Sequence, residues 1–247
     1  MRNFKRFFIS FMIKSANTGY VKTRLMRYGY SITDSKSFMK AYEFVNLVKK
    51  SGISLNIIYD IGAHKGLWTE EVRTRCSPDL TFILFEANKI YNDQLAKINF
   101  PFFNVLLSDR AEEAHFFSVN GTGDSMFREL TNKYKTVEPI LSNTSTLDSF
   151  TRENALPLPE LIKLDTQGSE LLILKGSREI LKTVKFIIAE CSIVPYNSGA
   201  PNFSETIDFL QSENFHPYAI AEFHKNNKKL FQMDIIFVSH SIIELLP

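Results

Sequence analysis

YDIGAHKGLW, Tyr59 to Trp68, decides how the rest of the chain is read. A short apolar run ends at Asp60, a turn carries Gly62 and Gly66, and a helix-compatible stretch follows. Glycine at such a turn tolerates positive φ and lets backbone approach a ligand without a Cβ in the way. A dinucleotide site would carry G-x-G-x-x-G, whose middle glycine admits a pyrophosphate at the helix N-terminus. Here the turn reads Gly62-Ala63-His64-Lys65-Gly66, without the middle glycine. A cofactor lacking a pyrophosphate fits better. S-adenosylmethionine is one, built from a nucleoside, a sulfonium and an amino-acid tail.

Outward from this turn, short apolar runs alternate with helical patterns, as in a sheet with crossover helices. The strand candidates are IIYDI, TFILFE, FFNVLL, LIKLD and FIIAEC. Each is apolar almost throughout, which implies helices on both sheet faces. Their C-terminal ends carry Asp60, Glu86, Ser108 with Asp109, Asp165 and Glu190, at the edge where open α/β sheets bind ligands. Glu86 stands about 20 residues after the glycines, where a carboxylate can accept hydrogen bonds from ribose hydroxyls. Asp60 suits the ammonium of the methionine tail, and Ser108 and Asp109 suit the adenine amine. Ala63, His64 and Ala87 complete the candidate cofactor contacts. A helix is expected over Phe38–Lys50, with Ser37 as N-cap, Gly52 past its end and a stripe of Phe38, Ala41, Tyr42, Val45 and Val48. After a helical stretch, Phe203 to Asn214, the segments HPYAIAEF and LFQMDIIFVS flank the polar turn HKNNKK and predict a terminal antiparallel hairpin.

The 247 residues, 44% of them hydrophobic, suffice for one α/β core. With 29 basic and 27 acidic side chains, the net charge of +2 gives no global field of the kind that binds nucleic acid. Cys76 and Cys191 lack partners at metal or disulfide-framework spacing, which fits a reducing cytosol. Met1 to Thr33 holds seven Lys or Arg and no Asp or Glu. Its apolar run, Phe7 to Ile13, is too short for a membrane span, which needs ~20 residues, and no cleavage pattern marks it as a signal peptide. Phe4, Phe7, Phe8, Phe11 and Met12 recur at helical spacing. Such a basic amphipathic helix could dock on the domain or on a partner subunit of a homo-oligomer, or lie on the inner face of an anionic membrane. The expected division is a helical extension over residues 1–50 and one catalytic domain over 51–247.

YDIGAHKG, FILFEAN and the segment from TLDSF through IKLDTQGSELLILKG to FIIAE together resemble the FkbM-type methyltransferases, over approximately Ser51 to Ser239. The most specific block matches K-x-D-x-x-G-x-E-x-x-x-L-x-G at Lys163, Asp165, Gly168, Glu170, Leu174 and Gly176. His64 departs from the pattern, which usually has Asn there. The resemblance implies a class I Rossmann-like methyltransferase fold: a mostly parallel seven-stranded sheet with a C-terminal antiparallel hairpin and helices on both faces. It implies methylation of a hydroxyl on a sugar or natural-product scaffold, with S-adenosylmethionine as donor.

Methyl transfer from a sulfonium is an in-line displacement that needs alignment, exclusion of water and an acceptor for the hydroxyl proton. Asp165 is the first candidate for base or orienting carboxylate; helix capping is the alternative. Glu190 would stand beside it on the same edge, and Lys163, two residues before Asp165, shares its face. Glu170, early in the next helix, suits the helix dipole. Two carboxylates without a third evident ligand do not call for a metal, and none is expected. GTGDSMF, with Ser125, and IVPYNSGAPNF, with Tyr196, are the candidate acceptor walls, together with Gln167. His115, His216, His224 and His240 lack metal-site spacing and are expected outside the chemistry. Trp68 is expected to pack its helix on the sheet. A binding protein without catalysis and an NAD-dependent dehydrogenase remain as alternatives; no Tyr-x-x-x-Lys pair supports the latter.

Overall fold

The computed structural model describes residues 8–9, 31–32, 38–76, 78–119, 121, 123–130, 136–194, 196–226 and 229–247. Its centre is a seven-stranded sheet. From residue 38 onward the described strands are, in chain order, β1 (Ile57–Ile61), β2 (Thr81–Phe85), β3 (Phe102–Phe103), β4 (Leu106–Leu107), β5 (Glu113–Phe116), β6 (Ile140–Ser145), β7 (Leu161–Leu164), β8 (Phe186–Ser192), β9 (Phe215–Asn226) and β10 (Lys229–Ser239). The main sheet runs β3-β2-β1-β7-β8-β10-β9, while β4, β6 and β5 form a second, small sheet. All pairings from β3 to β8 are parallel; β10 is antiparallel to both neighbours.

The inner parallel strands β1, β2, β7 and β8 are almost wholly apolar because both of their faces are covered. Tyr59, Ile83, Ile162 and Ile187 enter one core layer; Ile58, Phe82, Leu161 and Ile188 enter the other. Alternation then places Asp60, Lys163, Glu190 and Asp234 on the face of Ile58, Leu161, Ile188 and Ile236. Register brings them side by side, with Asp60 opposite Lys163 and Glu190 opposite Asp234.

Three elements differ from expectation. FFNVLL is two strands in two sheets, because Asn104 leaves the ladder and its amide donates to Glu86 O at 3.1 Å. The first helix spans Ala41–Lys50, with Lys40 as N-cap and Glu43 accepting from Lys40 N at 2.9 Å. Phe38 instead bridges Ile220 of the hairpin and packs edge-on against Phe223, so tertiary pairing replaces the first helical turn. Ser37 lies outside the described residues. The helix buries Phe44, Val45 and Val48 and ends before Gly52 at φ +73°. In the N-terminal segment, Phe8–Ile9 pair in parallel with Ser31–Ile32; the rest of the expected amphipathic helix lies outside the described residues. Among the described residues no helix is long and apolar enough to cross a membrane.

Helix Leu67–Arg75 follows the glycine turn, and Trp68 packs edge-on against Phe82 of the sheet. Helix Phe203–Ser212 starts at a capping box in which Asn202 Oδ1 accepts from Ser204 N and Glu205 N.

Candidate active site

Positive φ is required at both turn glycines, with +76° at Gly62 and +73° at Gly66. What a Cβ would strike there is protein: the Asp165 carbonyl at Gly62 and the Ile98 side chain at Gly66. The first glycine therefore lets the ends of β1 and β7 approach, and Asp165 N donates to Ile61 O at 3.0 Å across that junction. The turn is also tied to β2, since Gly62 N and Ala63 N both donate to Phe85 O. Glu86 is thereby brought to the turn. Its Oε2 accepts from His64 N at 2.7 Å and its Oε1 from Asn88 N at 2.8 Å. Burial pushes this carboxyl up to about 7.

The block Asp165-Thr-Gln-Gly-Ser-Glu170 forms the other side of the site. Glu170 lies buried and accepts from Thr166 N at 2.7 Å and Gly168 N at 3.0 Å, so its carboxylate holds the turn from within. Gly168 stands at φ +112°, where a Cβ would meet Ala200 at 2.9 Å. Gly176, at the end of the following helix, leaves room for the Ser108 carbonyl. Gln167 is held at φ +54° because its carbonyl accepts from Ser125 Oγ at 2.8 Å and Asn197 Nδ2 at 2.6 Å. Its amide nitrogen donates at 3.0 Å both to Asp165 Oδ1 and to Glu190 Oε2, while its Oε1 accepts from Tyr196 OH at 2.9 Å. Gln232 Nε2 donates to the same tyrosine hydroxyl. One glutamine thus fixes two carboxylates.

Lys163, only 4% exposed, reaches Asp165 Oδ2 at 2.8 Å and Asp60 Oδ1 at 3.9 Å. Burial opposes its charge, but the two carboxylates outweigh that cost and raise its pKa. Burial alone would raise Asp165; Lys163 more than offsets it and keeps this group below the usual carboxylate range. Glu190 is driven well up by burial and by the neighbouring charge of Asp165.

Gly62, His64, Glu86, Ala87, Ser125, Asp165, Gln167 and Glu190 border a single cavity of about 390 Å³. Asp60, Ala63, Gly66, Ser108, Asp109 and Tyr196 do not border it. Asp60 is wholly buried and accepts from Thr69 Oγ1 at 2.6 Å; Ser108 is buried and donates to Asp109 Oδ1 at 3.2 Å. Several wall residues escaped the sequence reading. Tyr91 packs edge-on against His64 with ring centroids 4.1 Å apart; Asp124, by contrast, belongs to the expected GTGDSMF wall and accepts from Asn88 Nδ2 at 2.6 Å. His224, expected outside the chemistry, also borders the cavity with Gln232. The polar run HKNNKK concealed it, because β9 continues through His224 to Asn226.

The described walls carry four carboxylates, Glu86, Asp124, Asp165 and Glu190, and no Lys or Arg. A pyrophosphate would find no basic side chain among these walls to pair with, whereas the carboxyl groups that ionise, Asp165 first, favour a cationic sulfonium. The donor set fits S-adenosylmethionine in two further respects. Glu86 offers a carboxylate at the glycine turn, and His64 Nε2 is a buried ring nitrogen without a hydrogen-bond partner at the wall.

A family model described as a methyltransferase FkbM domain matches residues 60–217. The 2-O-methyltransferase NoeI of Sinorhizobium fredii strain NGR234 is 26% identical over 211 residues, covering 78% of this chain and 85% of the relative. The hexuronic acid methyltransferase AglP of Haloferax volcanii is 24% identical over 158 residues, covering 60% of this chain and 61% of its own length. The crystal structure of methyltransferase FkbM from Methylobacillus flagellatus KT shares the fold with a TM-score of 0.51 at 11% identity, over 90% of this chain and 56% of that one. The matched span begins at Asp60, takes in both halves of the cavity's parallel edge and reaches the hairpin, so the chain belongs to the FkbM methyltransferase family.

Proposed function

We propose that this chain is an O-methyltransferase that moves a methyl group from S-adenosylmethionine to a hydroxyl of a saccharide or related polyhydroxylated compound. The observation that carries this reading is the meeting of Glu86 and the Gly62 turn with Asp165 and Glu190 around one cavity free of Lys and Arg among its described walls. The names of the two relatives, one a 2-O-methyltransferase and one a hexuronic acid methyltransferase, support a carbohydrate hydroxyl as acceptor.

When bound, S-adenosylmethionine supplies an electrophilic methyl on a sulfonium. Glu86 would accept hydrogen bonds from its ribose hydroxyls, and His64 Nε2 would gain the partner it lacks. Asp165, anchored by Lys163 on one oxygen and Gln167 on the other, presents an immobile, ionised carboxylate to the acceptor hydroxyl. That contact aligns the oxygen for in-line attack. The lowered pKa makes Asp165 a weak base before reaction. A hydroxyl turns strongly acidic only as its oxygen bonds to the methyl, so the proton reaches the Asp165 carboxylate late in the transfer. Ser125 and Tyr196 act through Gln167, which they hold by hydrogen bonds.

Asp165→Asn keeps the Gln167 bond through its carbonyl while removing the charge. Methyl transfer to a panel of sugars should fall on the order of 10²–10⁴-fold, with affinity for S-adenosylhomocysteine unchanged within about threefold. Equal rates in both proteins would remove Asp165 from this role, and failure of the native chain to bind S-adenosylmethionine in calorimetry would overturn the whole reading.

A further inference from the structure

Glu190, Asp234 and His224 converge where β8, β10 and β9 lie side by side. Glu190 faces Asp234 in the β8–β10 register, and His224 pairs with Gln232, two residues before Asp234, which sets it diagonal to that carboxylate. One ligand-capable atom from each lies within 4.8 Å of the others. Bonds of about 2.0–2.3 Å to a shared ion would close that span with a small side-chain adjustment.

Two of the three side chains hold a carboxylate oxygen that accepts no hydrogen bond among the described residues. Glu190 is 4% exposed and borders the cavity; Gln167 engages its Oε2, and among the described residues no donor reaches Oε1. Asp234 Oδ1 is buried without a hydrogen bond, and His224 Nε2 stands 3.8 Å from it. The nearby ammonium of Lys163 is already shared between Asp60 and Asp165. Among the described residues Asp234 Oδ1 has only the His224 imidazole near it, and two carboxylates with ligand atoms this close to an imidazole become the donor set of a cation site once the imidazole gives up its proton.

We infer that Glu190, Asp234 and His224 hold a divalent first-row ion of the Mn²⁺ type, with its remaining coordination positions turned to the cavity. Two carboxylates alone would suit Mg²⁺ or Ca²⁺; the imidazole shifts preference toward a transition ion. Three protein ligands leave about three positions of an octahedron, enough for a vicinal hydroxyl pair of the acceptor and a water. That role for the open positions rests on the methyl-transfer reading, whereas ion binding itself does not.

Titration of the full chain with MnCl₂, with free Mn²⁺ followed by electron paramagnetic resonance, should reveal one saturable site per chain. Asp234→Asn and His224→Ala should each weaken it at least about tenfold, and Mg²⁺ should compete at least about tenfold less well than Mn²⁺. His224 is 45% exposed, so its replacement keeps a folded protein to measure even if Asp234→Asn does not. No saturable Mn²⁺ site in the native chain, or equal affinity in His224→Ala, overturns the inference. Calorimetry with S-adenosylhomocysteine on the same native protein separates the two ideas. Cofactor binding without Mn²⁺ binding removes only the ion, and Mn²⁺ binding without cofactor binding removes only the methyl-transfer reading.

Discussion

Lys163→Met isolates the electrostatics at the centre of the sheet edge. Methionine keeps an unbranched apolar stem in the space the lysine stem fills, and deletes the ammonium. Removing one partner of a buried pair costs on the order of 3–5 kcal/mol, because the other charge is left uncompensated. Here the cost divides unequally. The Asp165 side chain is 36% exposed, so its share is screened and falls toward the ~1 kcal/mol of an exposed pair. Asp60 is fully buried, and its Oδ1 has no hydrogen bond beyond the 3.9 Å approach of Lys163. We expect a total of roughly 3 kcal/mol at pH 8, and a fall in Tm of about 6–12 °C for a domain of this size.

The sign of the pH dependence is fixed by Asp60. Burial already holds its pKa above the ordinary value although Lys163 pulls it down, so loss of Lys163 can only raise it further. A folded-state carboxyl raised above its unfolded value of about 3.9 contributes stability at low pH that is lost as pH rises through the folded pKa. The gap between native chain and variant should therefore be small near pH 5 and widen toward pH 8 in urea denaturation. Asp60→Asn added to Lys163→Met should recover at least half the loss, since Asn still accepts from Thr69 Oγ1. A gap of the same size at both pH values, or no recovery in the double variant, would refute the idea that an unpaired Asp60 causes the loss.

Two other measurements bear on the glycine turn and its carboxylate. Gly62→Ala and Gly52→Ala place an L side chain at φ +76° and +73°, but only the former meets an obstacle, the Asp165 carbonyl, while nothing lies within 4 Å of the latter. Both should lose roughly 1–2 kcal/mol for the left-handed backbone, and Gly62→Ala should lose a further ~1–3 kcal/mol for the overlap; equal losses in denaturant titrations would deny the close approach of β1 and β7. Glu86, with its pKa near 7, should ionise as pH rises from 6 to 8, and the ionised form accepts hydroxyl donors better. Affinity for S-adenosylhomocysteine by calorimetry should climb over that range by at most about tenfold per pH unit and be flat in Glu86→Gln; the same slope in both proteins would free Glu86 from cofactor binding.

Much of this was legible in the residues, for physical reasons that also mark where legibility stops. Four buried runs, IIYDI, TFILFE, LIKLD and FIIAEC, announced the central strands because a strand covered on both faces has no polar alternation to blur it. FFNVLL misled because apolar content shows that a segment packs against the core, not which sheet takes it. The carboxylate edge was readable because β1, β2, β7 and β8 are parallel and end together. His224, Gln232 and Asp234 were not, because register shifts at Pro217/Ala219, Ile220/Glu222 and His224/Lys225 break the period-two rule along β9. Which face His224 takes depends on partners found only in three dimensions.

The K-x-D-x-x-G-x-E-x-x-x-L-x-G block shows how few of its members need to touch the cavity. Glu170 ties down the turn, Gly168 and Gly176 admit neighbouring chain, Leu174 fills the core, and Lys163 compensates Asp60 and Asp165. Only Asp165 of the six borders the open space. Such a block works as a mount for one carboxylate, and nothing in it distinguishes one methyl acceptor from another. On the proposed role of Asp165, discrimination would come from segments that border the same cavity: the Asp124–Met126 loop, and the hairpin that contributes His224 and Gln232. These segments lie beside a rigid parallel edge whose hydrogen bonds do not depend on most of their side chains. The acceptor preference can therefore change by substitution in the loop and hairpin while the mount, and with it the position of Asp165, stays where the sheet puts it.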